Sequence, residues 1–210
     1  MVSGLYAIID QSTAAAHGVS VTDLAAAYLD GGARLLQVRA PAAAGRDYLA
    51  WCDEVVQRAR RVGAQVFVND RPDIAALSGA VGVHLGQTDL SPAVARQILP
   101  SHAKIGLSTH SQPEVDAALD LPIDYLAVGP VFATTTKRSE YSPVGLEHVR
   151  YAAARHPGRP VVAIGGITLE RVNDVLDAGA AAVAVIGDLL VDDRPDKRVA
   201  DYVRLFADRA

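Results

Sequence analysis

Short, nearly continuous apolar runs alternate along the chain with stretches in which apolar residues recur at helical spacing. The runs LYAII (5–9), RLLQVR (34–39), QVFVN (65–69) and AVGVHL (80–85) read as strands, as do KIGLS (104–108), IDYLAV (123–128), RPVVAIGG (159–166) and AAVAVIG (181–187). Helical patterns follow them. VTDLAAAYLDGGA opens behind a Ser20 cap and stops at Gly31 and Gly32; others cover 46–62, 72–77, 91–99, 112–119, 144–155, 168–178 and 195–207. Ser91 caps the 91–99 segment, with Pro92 in its first turn. DQSTAAAHG, after the first run, reads as a turn.

Strands that are apolar throughout belong in a parallel sheet covered by helices on its outer face. Two architectures meet that demand. A doubly wound open sheet announces itself with a glycine-rich first turn, which DQSTAAAHG is not. About eight β-then-α units in 210 residues instead predict an α/β fold of the (β/α)8 TIM-barrel type, one domain over 1–210. Half of the residues are hydrophobic, so a sizeable core can be buried.

Charge and cysteine content narrow the function. A net charge of −4 provides no electrostatic footprint for nucleic acid. The single cysteine, Cys52, excludes an intramolecular disulfide and a cysteine-rich zinc site, and its place on an apolar helix face makes it core. No apolar run reaches the length of a membrane span, and MVSGLYAIID lacks a basic segment and a long apolar stretch, so the expectation is a cytoplasmic protein. A homo-oligomer is compatible with the sequence but not specified by it.

In a barrel, chemistry sits at the C-terminal ends of the strands. There the chain places Gln37, Val38 and Arg39, then Asn69 and Asp70, then Gln87 and Asp89, then Ser108, Thr109 and His110. The sixth strand runs into GPVFATTTKRSEYSPVG, with Thr134, Thr135, Thr136 and Lys137 in succession. Hydroxyls and backbone N–H groups followed by cations suit a phosphate-bearing ligand. Gly165 and Gly166 close the seventh strand and Ile186 and Gly187 the eighth, the recurrent phosphate position in this fold. Asp70 and Asp89 beside Arg39, Asn69 and Lys137 fit Mg²⁺ holding a diphosphate, since magnesium favours few carboxylates plus substrate oxygens. The expected chemistry is therefore two phosphorylated ligands in one mouth, without a Ser/His/acid triad. Of the histidines, His84 reads as a satisfied core residue, His17, His102, His148 and His156 as solvated, and His110 as a candidate for binding or acid/base work.

The segments LYAIID, GGARLLQVR, VNDRPDIA, GVHLGQTDL, IGLSTHS, DYLAVGPVFATTTK, PVVAIGGI and VAVIGDL, in that order, resemble the thiamine-phosphate synthase family over nearly the whole chain. The resemblance implies a Mg²⁺-dependent barrel enzyme that joins a hydroxymethylpyrimidine diphosphate to a thiazole phosphate and releases pyrophosphate. It implies small phosphorylated heterocycles as partners. Carried over by position, Gln37 and Ser108 contact the aminopyrimidine; Arg39, Asn69 and Lys137 hold its diphosphate; Asp70 and Asp89 ligate magnesium. Thr134, Thr136, Gly166, Ile186 and Gly187 hold the thiazole phosphate, with Val38, Thr135 and His110 in the same binding set, and Lys137, Arg39 and Ser108 as its catalytic members.

One departure stands out. The family pattern Q-x-R-x-K reads Gln37-Val38-Arg39-Ala40-Pro41 here, so a cation is missing, and Arg46 or Arg138 are the candidates to replace it. Two rival functions share the scaffold: a thiazole tautomerase with His110 as its acid/base, and a non-catalytic binder of thiamine precursors. Neither needs the magnesium and diphosphate residues.

Overall fold

The computed structural model describes residues 2–134 and 141–209. Strands β1 (Gly4–Asp10), β2 (Leu35–Arg39), β3 (Gln65–Asn69), β4 (Gly82–Leu85), β5 (Lys104–Thr109), β6 (Tyr125–Val128), β7 (Val161–Ile164) and β8 (Ala182–Val185) pair in parallel, each with the next. β8 closes on β1 to complete the barrel. The described helices are α1 (Gln11–Ala16), α2 (Val21–Asp30), α3 (Gly45–Arg61), α4 (Pro72–Ser78), α5 (Pro92–Ile98), α6 (Gln112–Ala117), α7 (Gly145–Arg155), α8 (Val172–Asp177) and α9 (Pro195–Ala207). The expected (β/α)8 TIM barrel is the observed fold.

Alternation along each strand sorts the side chains into two cores. Outward residues such as Ile9, Leu36, Val68, Leu107 and Val183 pack beneath the helices. Inward residues, among them Tyr6, Ile8, Leu35, Phe67, Tyr125 and Val162, fill the barrel. The registers Ile8↔Gln37, Gln37↔Phe67 and Gly106↔Tyr125 pair inward with inward positions, and a slip of one residue would invert this sorting. Tyr6, Phe67 and Tyr125 meet edge to face, with centroids 5.5–6.1 Å apart. Such pairs add roughly 0.5–1.5 kcal/mol each beyond area burial. They cross the bore from β1, β3 and β6, while Ala127, Ala182 and Ala184 are small inward residues of β6 and β8.

Two expectations need correction. DQSTAAAHG is not a simple turn: Asp10 caps helix α1 by accepting from the Thr13 N–H. The signal was hidden because a strand-ending Asp and an N-cap Asp are the same residue here. Several strands are also shorter than the apolar runs that announced them; β7 stops at Ile164 because Gly165 and Gly166 turn to φ of 101° and 62°. The Ser20 and Ser91 caps form as expected, and Cys52 is fully buried in the outer core.

Candidate functional site

The C-terminal ends of β5–β8 enclose a cavity of about 460 Å³. Ser108, His110, Thr134, Gly166, Ile186 and Gly187 all line it, so six of the sequence-derived site residues meet in one place. Glycines alternate in the wall with apolar residues such as Ile164, Ile167 and Val191. A Cβ on Gly165 would lie 2.5 Å from Pro130, and one on Gly166 would lie 2.4 Å from the Ala133 carbonyl. Positive φ and this close approach of the loop after β6 demand glycine here, which is a different reason from clearance for ligand oxygens.

Three side chains shape this half from behind. Arg171, in the 3-10 turn Leu169–Arg171, donates from Nη1 to the Gly166 carbonyl at 2.8 Å and lies 4.6 Å over the Phe132 ring. It adds a cation at the cavity wall. Asp188, in the 3-10 turn Gly187–Leu190, accepts on Oδ2 from the Leu169 N–H (3.2 Å), the Arg198 guanidinium (Nη2, 2.8 Å) and Tyr202 Oη (2.6 Å). These bonds hold the turns after β7 and β8 together. His110 donates from Nδ1 to the Gly129 carbonyl at 2.5 Å, and its ring stacks on Tyr141 at 3.7 Å.

The β1–β4 half is built from charged side chains. Arg39 Nη1 meets Asp10 Oδ2 at 2.5 Å, with Asp10 buried. Asp10 Oδ1 also accepts from Ser12 Oγ, Thr13 Oγ1 and the Thr13 N–H. Burial alone would raise its pKa; the four hydrogen bonds outweigh it and hold the carboxyl below its ordinary value. Tyr48 Oη sits 2.8 Å from the Val38 carbonyl and accepts from the Asn69 N–H, tying the ends of β2 and β3. Asp70 adopts φ of 64°, a conformation Asp tolerates better than most residues, and its N–H donates to the His84 carbonyl at 2.8 Å. Asp89 folds back so that Oδ2 accepts from the Gly86 N–H at 2.7 Å. Both carboxylate-bearing residues are thus anchored to the end of β4.

Between the halves runs a buried polar chain. Gln37 Nε2 donates to Tyr6 Oη (3.0 Å), Tyr6 Oη meets Tyr125 Oη (3.0 Å), Tyr125 Oη meets His84 Nδ1 (2.9 Å), and His84 Nε2 meets Ser108 Oγ (2.8 Å). His84 is a satisfied interior histidine, as its place in VGVHL suggested.

Not every expectation survives. The Val38 side chain is fully buried in the outer core and its carbonyl faces Tyr48, so it contributes nothing to the mouth. Inward and outward positions alternate, and Val38 sits between two inward neighbours. His148 and His156 are buried rather than solvated, the latter bonding from Nε2 to the Val115 carbonyl. Arg46 is 94 % exposed and pairs with Asp47 at 3.7 Å, which lends no support to its replacing the missing cation. Thr135, Thr136, Lys137 and Arg138 lie outside the described residues. The sequence reading also passed over Asp10, Tyr6, Tyr125, Arg171 and Asp188. Inward parity marked the first three; nothing local marked Arg171.

A family profile described as Thiamine monophosphate synthase matches residues 5–189. A protein of Koribacter versatilis named thiamine-phosphate synthase is 39% identical over 204 residues, covering 96% of this chain and 95% of its own. A thiamine-phosphate synthase of Thermus thermophilus is 44% identical over 177 residues, 84% of each chain. The solved thiamine phosphate pyrophosphorylase of Pyrococcus furiosus superposes with a TM-score of 0.88 at 30% identity, covering 98% of this chain and 96% of that one.

Proposed function

The chain belongs to the thiamine monophosphate synthase family, and we propose that its barrel mouth carries out that family's condensation with the two half-sites in divided roles. The enzyme joins 4-amino-2-methyl-5-hydroxymethylpyrimidine diphosphate to a thiazole phosphate, giving thiamine phosphate and pyrophosphate. The observation that carries the division is the contrast within one mouth: a cavity on β5–β8 lined by glycines and apolar residues beside charged strand ends on β1–β4.

On this reading Thr134, Gly166, Ile186 and Gly187 hold the thiazole phosphate through hydroxyl and N–H donors, with Thr136 of the same loop. Gln37 and Ser108 orient the aminopyrimidine, and Arg39, Asn69 and Lys137 hold its diphosphate. The C–O bond to diphosphate breaks with its electron pair leaving on oxygen, and the thiazole nitrogen lone pair forms the new C–N bond. Fixed donors aimed at the departing charge lower the barrier, and holding both reactants in one cavity supplies the proximity.

Magnesium fits the donor set. Asp70 and Asp89 provide oxygen ligands anchored to the same strand end. Among the described residues no three of His, Cys, Asp and Glu cluster as a cage, and magnesium requires none, because it takes one or two carboxylates and completes its shell with water and phosphate oxygens. Bound there, it would supply charge neutralisation for the diphosphate.

Pyrophosphate release with both substrates, with and without Mg²⁺, tests the proposal. Magnesium-dependent release supports it. Tight thiazole phosphate binding without release would favour a non-catalytic binder. Thiazole isomerisation lost in His110→Ala, again without release, would favour a tautomerase.

A further inference from the structure

The buried polar chain has a direction, and counting protons fixes it. Tyr6 Oη accepts from Gln37 Nε2, so the phenol proton has one remaining partner, Tyr125 Oη at 3.0 Å. Leaving that proton unpaired in the bore would carry the desolvation cost of a buried, unsatisfied donor. Tyr6 therefore donates to Tyr125. Tyr125, having accepted, donates in turn to His84 Nδ1 at 2.9 Å. Nδ1 is then the unprotonated nitrogen, and the imidazole proton sits on Nε2, donating to Ser108 Oγ at 2.8 Å. Ser108, which lines the cavity, then accepts from His84 and has its own hydrogen left to offer a ligand. Desolvation holds both phenols far above their ordinary pKa, so the protons stay in place.

The bore is shaped for this chain. A Cβ on Gly106 of β5 would fall 1.9 Å from the Tyr125 ring, so β5 gives up a side chain to let that ring cross to Tyr6 and His84. At the other end, Gln37 commits one N–H to Tyr6, and an amide has a carbonyl oxygen and a second N–H besides.

We propose that Tyr6, Tyr125 and His84 are positioning residues that preset Ser108 as a donor and Gln37 Oε1 as an acceptor toward the pyrimidine, so that the site selects the 4-amino ring over its 4-oxo analogue. This rests on the aminopyrimidine reading of Gln37 and Ser108. The amino ring offers an N–H donor to Gln37 and an unprotonated ring nitrogen to Ser108. The oxo ring presents an acceptor where the amine stood and carries a proton on a ring nitrogen, the inverse pattern. A site built around fixed polar groups discriminates through whichever group the wrong ligand leaves unpaired.

Two measurements test it. In the free protein, long-range ¹H–¹⁵N spectra of the histidine rings, with His84 assigned by its loss in His84→Gln, should show the Nε2–H tautomer. Tyr125→Phe should make His84 a mixture of both tautomers. An Nδ1–H tautomer in the wild type would overturn the direction of the chain. In turnover, Tyr125→Phe should reduce the preference for the amino over the oxo pyrimidine diphosphate by about 2- to 12-fold, the size of one neutral hydrogen bond. KM for the thiazole phosphate should not move. Tyr6→Phe breaks the same chain one bond earlier and serves if Tyr125→Phe unfolds. Unchanged selectivity in a folded variant would overturn the presetting. Absence of wild-type turnover with the expected tautomer would instead remove the functional reading and leave the chain's direction standing.

Discussion

The two halves of the barrel mouth solve the same problem, holding a phosphorylated group, with different physics. On the β5–β8 side the walls combine glycines and apolar residues such as Ile164, Ile167 and Val191 with a few polar side chains, of which Asp188 is paired with Arg198. On the β1–β4 side the surface carries charged side chains: Arg39 pairs with Asp10, Asp89 accepts from the Gly86 N–H, and Asp70 is held to β4 by its backbone N–H. The first half relies mainly on dipoles that fold with the backbone, with Arg171 adding a cation at the wall. The second relies on ionic groups, whose burial is tolerable only when hydrogen-bonded. The first should be sensitive to shape, the second to charge.

Removing a charge from the β1–β4 side should have the largest effect. Asp70→Asn keeps the size of the residue and the tolerated positive φ but removes an anionic oxygen ligand. Loss of magnesium-dependent pyrophosphate release by at least about 100-fold is expected, since even partners of metal ligands cost 10- to 100-fold. Thiazole phosphate binding, measured by calorimetry, should be unaffected. An equal loss of both would dissolve the distinction between the halves.

Shape is the corresponding lever on the other side. Gly166→Ala places a Cβ at φ of 62° and 2.4 Å from the Ala133 carbonyl. Strain of roughly 1–2 kcal/mol from the left-handed backbone corresponds to about a 5- to 30-fold rise in KM for the thiazole phosphate. KM for the pyrimidine diphosphate should stay within about twofold, inside the scatter of distant, independent sites.

What could be read beforehand follows the same division. Strand period and unit count made the barrel legible, because eight apolar runs each followed by a helical pattern admit few closed arrangements. Asp70, Asp89, Arg39 and Asn69 stood out because charged or amide residues at the ends of apolar strands have few other reasons to be there. Gln37 and Ser108 were found by position, but their connection was not. Residues at 6, 37, 84, 108 and 125 come from five strands, and only closure of the barrel brings them together. Val38 was misread because adjacency in sequence was taken as adjacency in space, whereas a strand sends neighbours to opposite faces. Arg171 was missed because its role depends on Phe132, from a different loop.

Restoring the missing cation should have a smaller effect, and an upward one. Pro41 is exposed in the turn after β2, one residue beyond Ala40. The nearest mapped cation, Arg39, already faces Asp10. Pro41→Lys should raise turnover roughly 2- to 5-fold, the scale of an exposed, screened charge pair, and the gain should shrink as salt is added. An unchanged or lower rate in a folded variant would mean that another cation already serves those oxygens.

The last effect concerns stability rather than activity, and its sign can be worked out in advance. Asp10 is ionised in the folded state below its ordinary pKa because hydrogen bonds from Ser12, Thr13 and Arg39 outweigh the cost of burial. A carboxylate whose pKa is lowered by folding stabilises the protein at pH values above its unfolded value, near 4 by the usual scale. That stabilisation disappears as pH falls through the lower, folded-state value. Asp10→Asn retains a side chain that can still cap α1 but loses the charge opposite Arg39. Urea unfolding at neutral pH should show a loss of roughly 1.5–3 kcal/mol, the range for hydrogen bonds to a charged group. Repeated in acid, the difference from wild type should narrow and vanish. A gap that persists at low pH would show that Asp10 contributes through packing or capping geometry, and that the β1–β4 half is organised by shape after all.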